Sequence, residues 1–478
     1  VMDKEFMPGW DQGEFQIKFS TSPTASIEET KDRLNAVLRA IGDIPEIELT
    51  YAGIGAQEGS SVRDALVYVK LKKKSERRRH QKEVLSDVRS RIVRIPGIKS
   101  SVEVLDISGN TQKALQVAIR GDDIRKLKSY ADAIKGKLYR VPGIVDLGST
   151  MEEDMPEYQV IVDRRRAASV GLGSEDIIRT MGTLVGGSVV ATFEDEEGEA
   201  VNVRLRLPAP LRKEIGQMGN LRIAVMQPDG TPALVPVSDI ASFRMAVSPS
   251  EITRQDLSRQ ILISANLDKL PMGRAIEEVY KAIREINMEP GYKLFLLGDT
   301  EAMGETFGYI VEALLLAVIF VYLLLAAQFE SFIDPLSIMF SLPLSIVGMA
   351  AMLFITGDSI NLISLIGLIM LMGLVTKNAI LLVDYTKVLR QRGFDRRDAI
   401  IEAGHTRLRP IMMTTLAMIF GMLPLALALG QGAEMRAPLG RAVIGGLITS
   451  TLLTLVVVPV TYTFLDDLCA WFRKKRRA

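Results

Sequence analysis

The stretch "LIGLIMLMGLVTKNAILLVDY", residues 365 to 385, is apolar for a dozen residues, presents Lys377 and Asn378, and then turns apolar again. An ionisable side chain inside such a run costs at least a few kcal/mol unless a partner or a water-filled cavity meets it. Lys377 is therefore read first as a functional residue, and the run around it as a bilayer span. A snorkelling or static ion-paired lysine that only holds helices together is the competing reading, and the residues alone leave it open.

Crossing a bilayer takes about 20 predominantly apolar residues. Working outward, the windows at about 309–328, 335–356, 361–385, 410–429 and 439–464 qualify, so five spans are expected. The connector between the third and fourth carries Lys387, Arg390, Arg392, Arg396, Arg397, Arg407 and Arg409, and the chain closes on "RKKRRA". Basic flanks mark the cytoplasmic side. An even number of spans separates the two clusters, which puts both in the cytoplasm and residues 1 to about 305 outside, in the periplasm of a bacterium with two membranes. Pro343, Gly421, Pro424, Gly445, Gly446 and Pro459 fall inside spans, where small residues allow close approach and prolines are tolerated.

The hydrophobic content of 48% averages two regimes, a charged and mixed region up to about residue 305 and the apolar region after it. A formal net charge of +1 argues against a nucleic-acid binder. The basic run "LKKKSERRRHQKE", residues 71 to 83, reads as the solvated start of an amphipathic helix, and "GIGAQEG" lacks the lysine and hydroxyl residue of a phosphate loop. One cysteine, Cys469, excludes an intrachain disulfide framework and a Cys-rich metal site. His80 and His405 lie far apart, and no nucleophile-base constellation is visible, so neither a His-based metal site nor an enzyme is expected. The chain opens on Val1 with no segment that reads as a signal peptide, so an internal fragment, or delivery by something upstream, is expected.

The charged region repeats a helix, a proline turn and a strand: "DRLNAVLRAIGDIPEIELTYAG", "VLSDVRSRIVRIPGIKSSVEVLD", "YADAIKGKLYRVPGIVDLGST" and "IEEVYKAIREINMEPGYKLFLLG". Alternating runs, "EFQIKFS", "ALVYVKLK", "ALQVAIRG" and "RQILISANL", precede the helices. Together they predict two split β-α-β folds of the ferredoxin-like kind. The turn prolines at 45, 96 and 142 are spaced by about fifty residues but the next is at 290, so an insertion is expected over about 164–253. Ser174 with Glu175 and Asp176 caps a helix there, and "VMQPDGTPALVPVSDIA" reads as a hairpin with an Asp-Gly turn.

In this order the elements resemble the C-terminal half of a resistance-nodulation-division (RND) efflux transporter of the hydrophobe/amphiphile multidrug class. The segments that carry the resemblance are "EFMPGWDQGEF", "LLLAAQFESFIDPLSIMFSLPLSIVG", "GLVTKNAILLVDY", "RLRPIMMTTLAMIFGMLPLAL" and "GRAVIGGLITSTLLTLVVVPVTYT". It implies a multidomain membrane protein: a first α+β porter subdomain over 1–110, a second over 111–163 and 254–300, an inserted α+β docking module over 164–253, and an α-helical transmembrane bundle over 301–478.

The resemblance further implies a proton-driven antiporter in the inner membrane that exports amphiphilic or hydrophobic compounds. It would work as a homotrimer with a periplasmic adaptor and an outer-membrane channel, amid membrane lipids and with no cofactor beyond the proton motive force. The paired aspartates that take up the proton in the family are expected in a missing N-terminal half. Lys377, Arg407 and Thr414 match its proton relay, and Asn378 is expected to hydrogen-bond across the bundle; Lys377 and Thr414 are expected to face one polar pocket.

Glu312 and Asp384, near span ends, read as interfacial anchors. The segment "YAGIGAQEGSSVRDALVYV" matches the drug-binding loop, which offers Tyr51, Gly53, Ile54, Gly55, Leu66 and Tyr68 as substrate contacts, with Ile54 and Leu66 where phenylalanines would be expected. The alternatives are a protein-translocation accessory factor and a metal-ion exporter, for which Met151 and Met155 are the candidate soft ligands.

Overall fold

The computed structural model describes residues 2–56, 60–105, 111–151, 154–212, 215–226, 231–249, 251–430 and 432–477. The first module opens with β1 (Glu14–Ser20), in which Phe15, Ile17 and Phe19 are buried and the residues between them are half-exposed, the period-two pattern of a one-faced strand. Helix α1 (Ile27–Ile41) starts where the Ser26 hydroxyl accepts the Glu29 amide. Then come β2 (Ile47–Ile54), β3 (Asp64–Leu71), α2 (Gln81–Ile92) and β4 (Lys99–Val104). The sheet runs β2-β3-β1-β4 with every neighbour antiparallel, the order of a split β-α-β pair. Leu34, Val37 and Ile41 of α1 and Val84, Val88 and Ile92 of α2 close one core over the sheet.

The second module begins with β5 (Leu115–Gly121), α3 (Ile124–Leu138), capped by Asp123, and β6 (Ile144–Ser149). The chain then leaves it for a separate compact unit, Glu153–Glu251. That unit contains β7 (Asp154–Val162), α4 (Arg164–Ser169), α5 (Ser174–Met181), β8 (Ser188–Glu194), β9 (Ala200–Leu205), α6 (Ala209–Arg212), α7 (Ile215–Gly219), β10 (Arg222–Met226), β11 (Pro232–Pro236), α8 (Val237–Ile240) and β12 (Ala241–Pro249). Its core is Ile177, Met181, Ile223, Val225, Val237 and Ile240. The insertion expected over 164–253 starts too late, because β7 pairs with β12 from Val162 opposite Ala241 to Asp154 opposite Pro249 and so belongs to the inserted unit. The two hairpins, β8 with β9 and β10 with β11, form as pairs, while the Asp229-Gly230 turn lies outside the described residues.

The second module resumes with β13 (Thr253–Gln255), β14 (Ser258–Leu267), α9 (Met272–Arg284) and β15 (Lys293–Leu297), giving a sheet in the order β13-β14-β5-β15 with β6 also on β14. Asp146, at φ 51, ties the two modules together. Its carboxylate accepts from Arg89 Nε at 3.1 Å and Asn266 Nδ2 at 2.9 Å.

Gly298, at φ 64, turns the chain into the helical bundle, where no L side chain would sit easily. The bundle comprises α10 (Asp299–Phe329), α11 (Asp334–Met339), α12 (Ser341–Thr356), α13 (Leu362–Gln391), α14 (Arg396–Ala426) and α15 (Ala437–Arg477). Among the described residues these supply five segments long and apolar enough to cross a membrane, α11 and α12 counting as one. The basic connector expected between the third and fourth spans is mostly helix, since α13 runs on to Gln391 and α14 starts at Arg396. Only a short turn at Gly393, φ 96, separates them. Arg390 and Arg396 reach Asp466 on α15 at 3.2 and 3.3 Å, and Arg396 also pairs with Asp467. The adjacent carboxylates Asp466 and Asp467 are thereby neutralised at the end of the bundle.

Candidate functional site in the helical bundle

Asn378, midway along α13, is 2% exposed. Its Nδ2 donates to Thr415 Oγ1 of α14 at 3.3 Å and to Thr451 Oγ1 of α15 at 3.4 Å, and the two hydroxyls lie 3.3 Å apart. Three helices thus share one buried polar node. Its Oδ1 is buried with no hydrogen-bond partner among the described residues.

Lys377, the preceding residue, lies on a different face of the helix. It lies on an exposed stripe of α13 with Ile366, Met370, Gly373 and Asp384, and has no hydrogen bond or ion pair among the described residues. Spacings of four and three make this one face of the helix. Thr414 is half-buried and returns its hydroxyl to the Ile411 carbonyl at 3.0 Å. Arg407 stacks its guanidinium 4.6 Å from the Tyr385 ring, with Nε buried and unpartnered.

Lys377 and Thr414 share no hydrogen bond among the described residues, and the hydrogen-bonded node is formed by Asn378, Thr415 and Thr451, since a one-residue step turns a helix by about 100° and sends neighbours to different faces. Sequence reading missed both threonines; the hydroxyl-rich "LITSTLLT", residues 447 to 454, inside an apolar span was the available signal. Glu312 is exposed on α10 and Asp384 on α13.

Thr451→Val, nearly isosteric, removes one acceptor from the Asn378 amide. It is expected to lower stability by about 1 kcal/mol, read as thermal unfolding in detergent. An unchanged transition would mean that the node holds no structural weight.

A second polar assembly joins the bundle to the first module. Asp11 and Arg77, with side chains 1% and 2% exposed, form a two-pronged pair at 2.6 and 3.0 Å. The Asp11 carboxylate also accepts the Gly13 and Gln81 amides, each at 3.0 Å. The Asp11 amide in turn donates to Glu434 Oε2 at 2.9 Å, in the connector between α14 and α15, and Lys74 pairs with the same Glu434. His80 accepts the Lys82 amide on Nδ1, which leaves Nε2 turned to Glu434 at 3.5 Å and to Asp11 at 3.8 Å.

Burial pushes Asp11 up, but the hydrogen bonds from Arg77 and Gln81 outweigh it and hold the carboxyl below its ordinary range. Glu434 is likewise lowered, burial being outweighed by Lys74 and the Asp11 amide. A second tie runs from residues 3–6 to the loop between α12 and α13, where the Glu5 amide meets the Ile360 carbonyl at 3.1 Å and the Ile360 amide meets the Asp3 carbonyl at 2.9 Å.

The candidate substrate residues divide between the two faces of the sheet. Tyr51 stands opposite Tyr68 and Gly53 opposite Leu66, so these four share the face away from the helices, where Tyr51 is 63% exposed. Burial and the Glu14 carboxylate push the Tyr68 phenol above its ordinary range, which keeps it a neutral donor. Ile54 stands opposite Ala65 and packs into the helix-side core, so it cannot serve the open face. Gly55, at φ 62, closes the strand pair through its amide to the Asp64 carbonyl at 2.9 Å. A Cβ on Gly53 would come within 2.8 Å of Ala56, so this glycine serves a close approach. Gln57 to Gly59 lie outside the described residues.

The first α/β module is thus hydrogen-bonded to a bundle of long apolar helices that carries a buried polar node. The chain belongs to the AcrB/AcrD/AcrF family, which matches residues 1–466. It is 29% identical to the protein named Multidrug resistance protein MdtC of Cronobacter sakazakii, over 99% of this chain and 46% of that relative. It is also 29% identical to the protein of the same name of Serratia proteamaculans, with the same coverage. The chain spans about half the length of the curated relatives it matches. A crystal structure of a heavy metal efflux pump superposes with a TM-score of 0.85 at 26% identity, over 98% of this chain and 49% of that one.

Proposed function

We propose that the chain forms the C-terminal half of a proton-driven antiporter that exports hydrophobic or amphiphilic compounds. The observation that carries this reading is the contrast on α13: Asn378 is locked into the buried node while Lys377, beside it, stands exposed and without an ion pair among the described residues. A free ammonium in the middle of a span needs a carboxylate partner, and the exposed stripe offers Lys377 to a second half carrying the acidic proton acceptors. Protonating such a carboxylate removes its attraction for the ammonium and frees the helix to shift against its neighbours. The Asp11–Arg77–Glu434 assembly then passes that shift to the first α/β module.

In the same reading the two split modules are porter subdomains, the inserted unit is the docking module, and residues 1 to about 305 face the periplasm with the C-terminus cytoplasmic. The assembly is a homotrimer working with a periplasmic adaptor and an outer-membrane channel, without a cofactor. Tyr51, Gly53, Leu66 and Tyr68 offer substrate an amphiphilic wall of two phenols and an aliphatic patch.

The test is dye efflux and proton uptake in proteoliposomes holding this chain with its upstream half, comparing wild type with Lys377→Met. Both fluxes are expected to fall by at least about a hundredfold, on the scale of an essential proton carrier, while assembly persists. Retained fluxes would remove Lys377 from the coupling path and sink the reading.

Metal export is the second reading, favoured by the likeness to a heavy metal efflux pump. Against it, Met151 is 7% exposed and packed in the core of the second module among Leu115, Ile119 and Ile261, where its sulfur serves packing.

A further inference from the structure

We propose that the basic segment after β3, together with the connector between α14 and α15, forms a binding site for the phosphate headgroup of an anionic phospholipid. The proposal rests on the reading of the bundle as membrane-embedded. Taken alone, "LKKKSERRRHQKE" is a solvated charge run. The fold changes its surroundings, because Lys74 and His80 meet Glu434, which lies in the connector joining two bilayer-length helices. The run is therefore held at the membrane–water boundary.

Apart from the half-buried Lys72, its lysines and arginines fall into two sets. Lys74, Arg77 and Arg79 are used internally by Glu434, Asp11, Glu46 and Asp87. Lys73, Arg78 and Lys82 are exposed and have no ion pair among the described residues, and Arg436, two residues beyond Glu434, is in the same condition. Four exposed cations stand against the exposed carboxylates Glu76 and Glu83 of the same stretch. The carboxylate that could have quenched the connector's charge, Glu434, is already saturated by Lys74 and the Asp11 amide.

The connector also presents Leu427 and Leu429, 58% and 68% exposed. Exposed apolar side chains in the same connector that carries Arg436 match a lipid: acyl chain against the leucines, phosphodiester against the arginines and lysines. A soluble phosphate would make no use of the leucines. A neutral zwitterionic headgroup would bring its own cation against these.

The test uses the full protein containing this chain in liposomes doped with phosphatidylglycerol bearing a diazirine near the glycerol, against the matching phosphatidylcholine probe. Labelled peptides are mapped, and the variant is Lys73→Gln/Arg78→Gln/Arg436→Gln, which leaves Lys74 and the Glu434 tie intact. Wild type should label residues 72–82 and 427–436 at least about threefold more with phosphatidylglycerol than with phosphatidylcholine, a preference the variant and high salt should abolish. Equal labelling by both probes, or an unchanged preference in the variant, overturns the site. Vesicle flotation separates the two levels: a protein that fails to float overturns the membrane reading itself, whereas one that floats without the preference overturns only the lipid site.

Discussion

Replacing Gly445 with valine is expected to cost about 3 kcal/mol or more and to break the seam between α12 and α15. Gly445 and Gly348 bring the two helix backbones into contact. A Cβ on Gly445 would lie 2.6 Å from the Gly348 carbonyl and closer still to Met352 Cβ, and one on Gly348 would lie 2.5 Å from the Gly445 carbonyl and from Thr449 Cβ. Backbone cannot move aside as a flexible side chain can. In a membrane, moreover, the helices gain little from burying apolar surface and depend on this close packing. The readout is the thermal transition in detergent together with yield of monodisperse protein. Gly421→Ala is the control: its Cβ meets nothing within 4 Å, so it should be neutral or gain up to about 1 kcal/mol of helix propensity. Equal behaviour of the two variants would mean that the glycine seam is not a packing contact.

The second large effect is expected at Asp11→Ala, which leaves the Arg77 guanidinium buried without its partner and strips the Gly13 and Gln81 amides of their acceptor. Breaking a buried pair from one side costs about 3–5 kcal/mol. Hydrogen exchange should rise in residues 72–82 and 427–436 while the node around Asn378 stays protected, since the loss is at the tie and not in the bundle.

The pH dependence follows in sign. Asp11 and Glu434 titrate below their ordinary values in the folded protein. Their stabilisation is therefore fully present above about pH 4–5, the unfolded carboxylate range, and is lost as the pH falls through the lowered folded values. Asp11→Asn should remove part of that acid-side loss, and a wild type whose stability rose on acidification would contradict the assignment.

Much of the architecture was legible because it rests on periodicity. The five apolar segments announce themselves by length alone, and "EFQIKFS" by alternation. Boundaries were less so: the basic connector from Lys387 to Arg409 is mostly helix, and within it Arg390 and Arg396 meet carboxylates on α15 that lie about seventy residues further on. The inserted unit was placed too late because the partner of β7 lies about eighty residues further on, and no local pattern reports a pairing that distant. At the site, Lys377 and Asn378 were found together by their polarity, but that one is exposed and the other buried was not.

The sequence by itself determined the partition into α/β modules and apolar helices, the polar interruption at Lys377, and the glycines of α15, since each depends on residue type at short spacing. The tertiary structure alone decided that Asn378 meets Thr415 and Thr451, that Ile54 belongs to the core, and that Asp11 holds Arg77 and Glu434. The polar contacts among these join residues 37 to 423 positions apart. Their energy comes from desolvated partners whose meeting is fixed only once every helix and strand between them has packed.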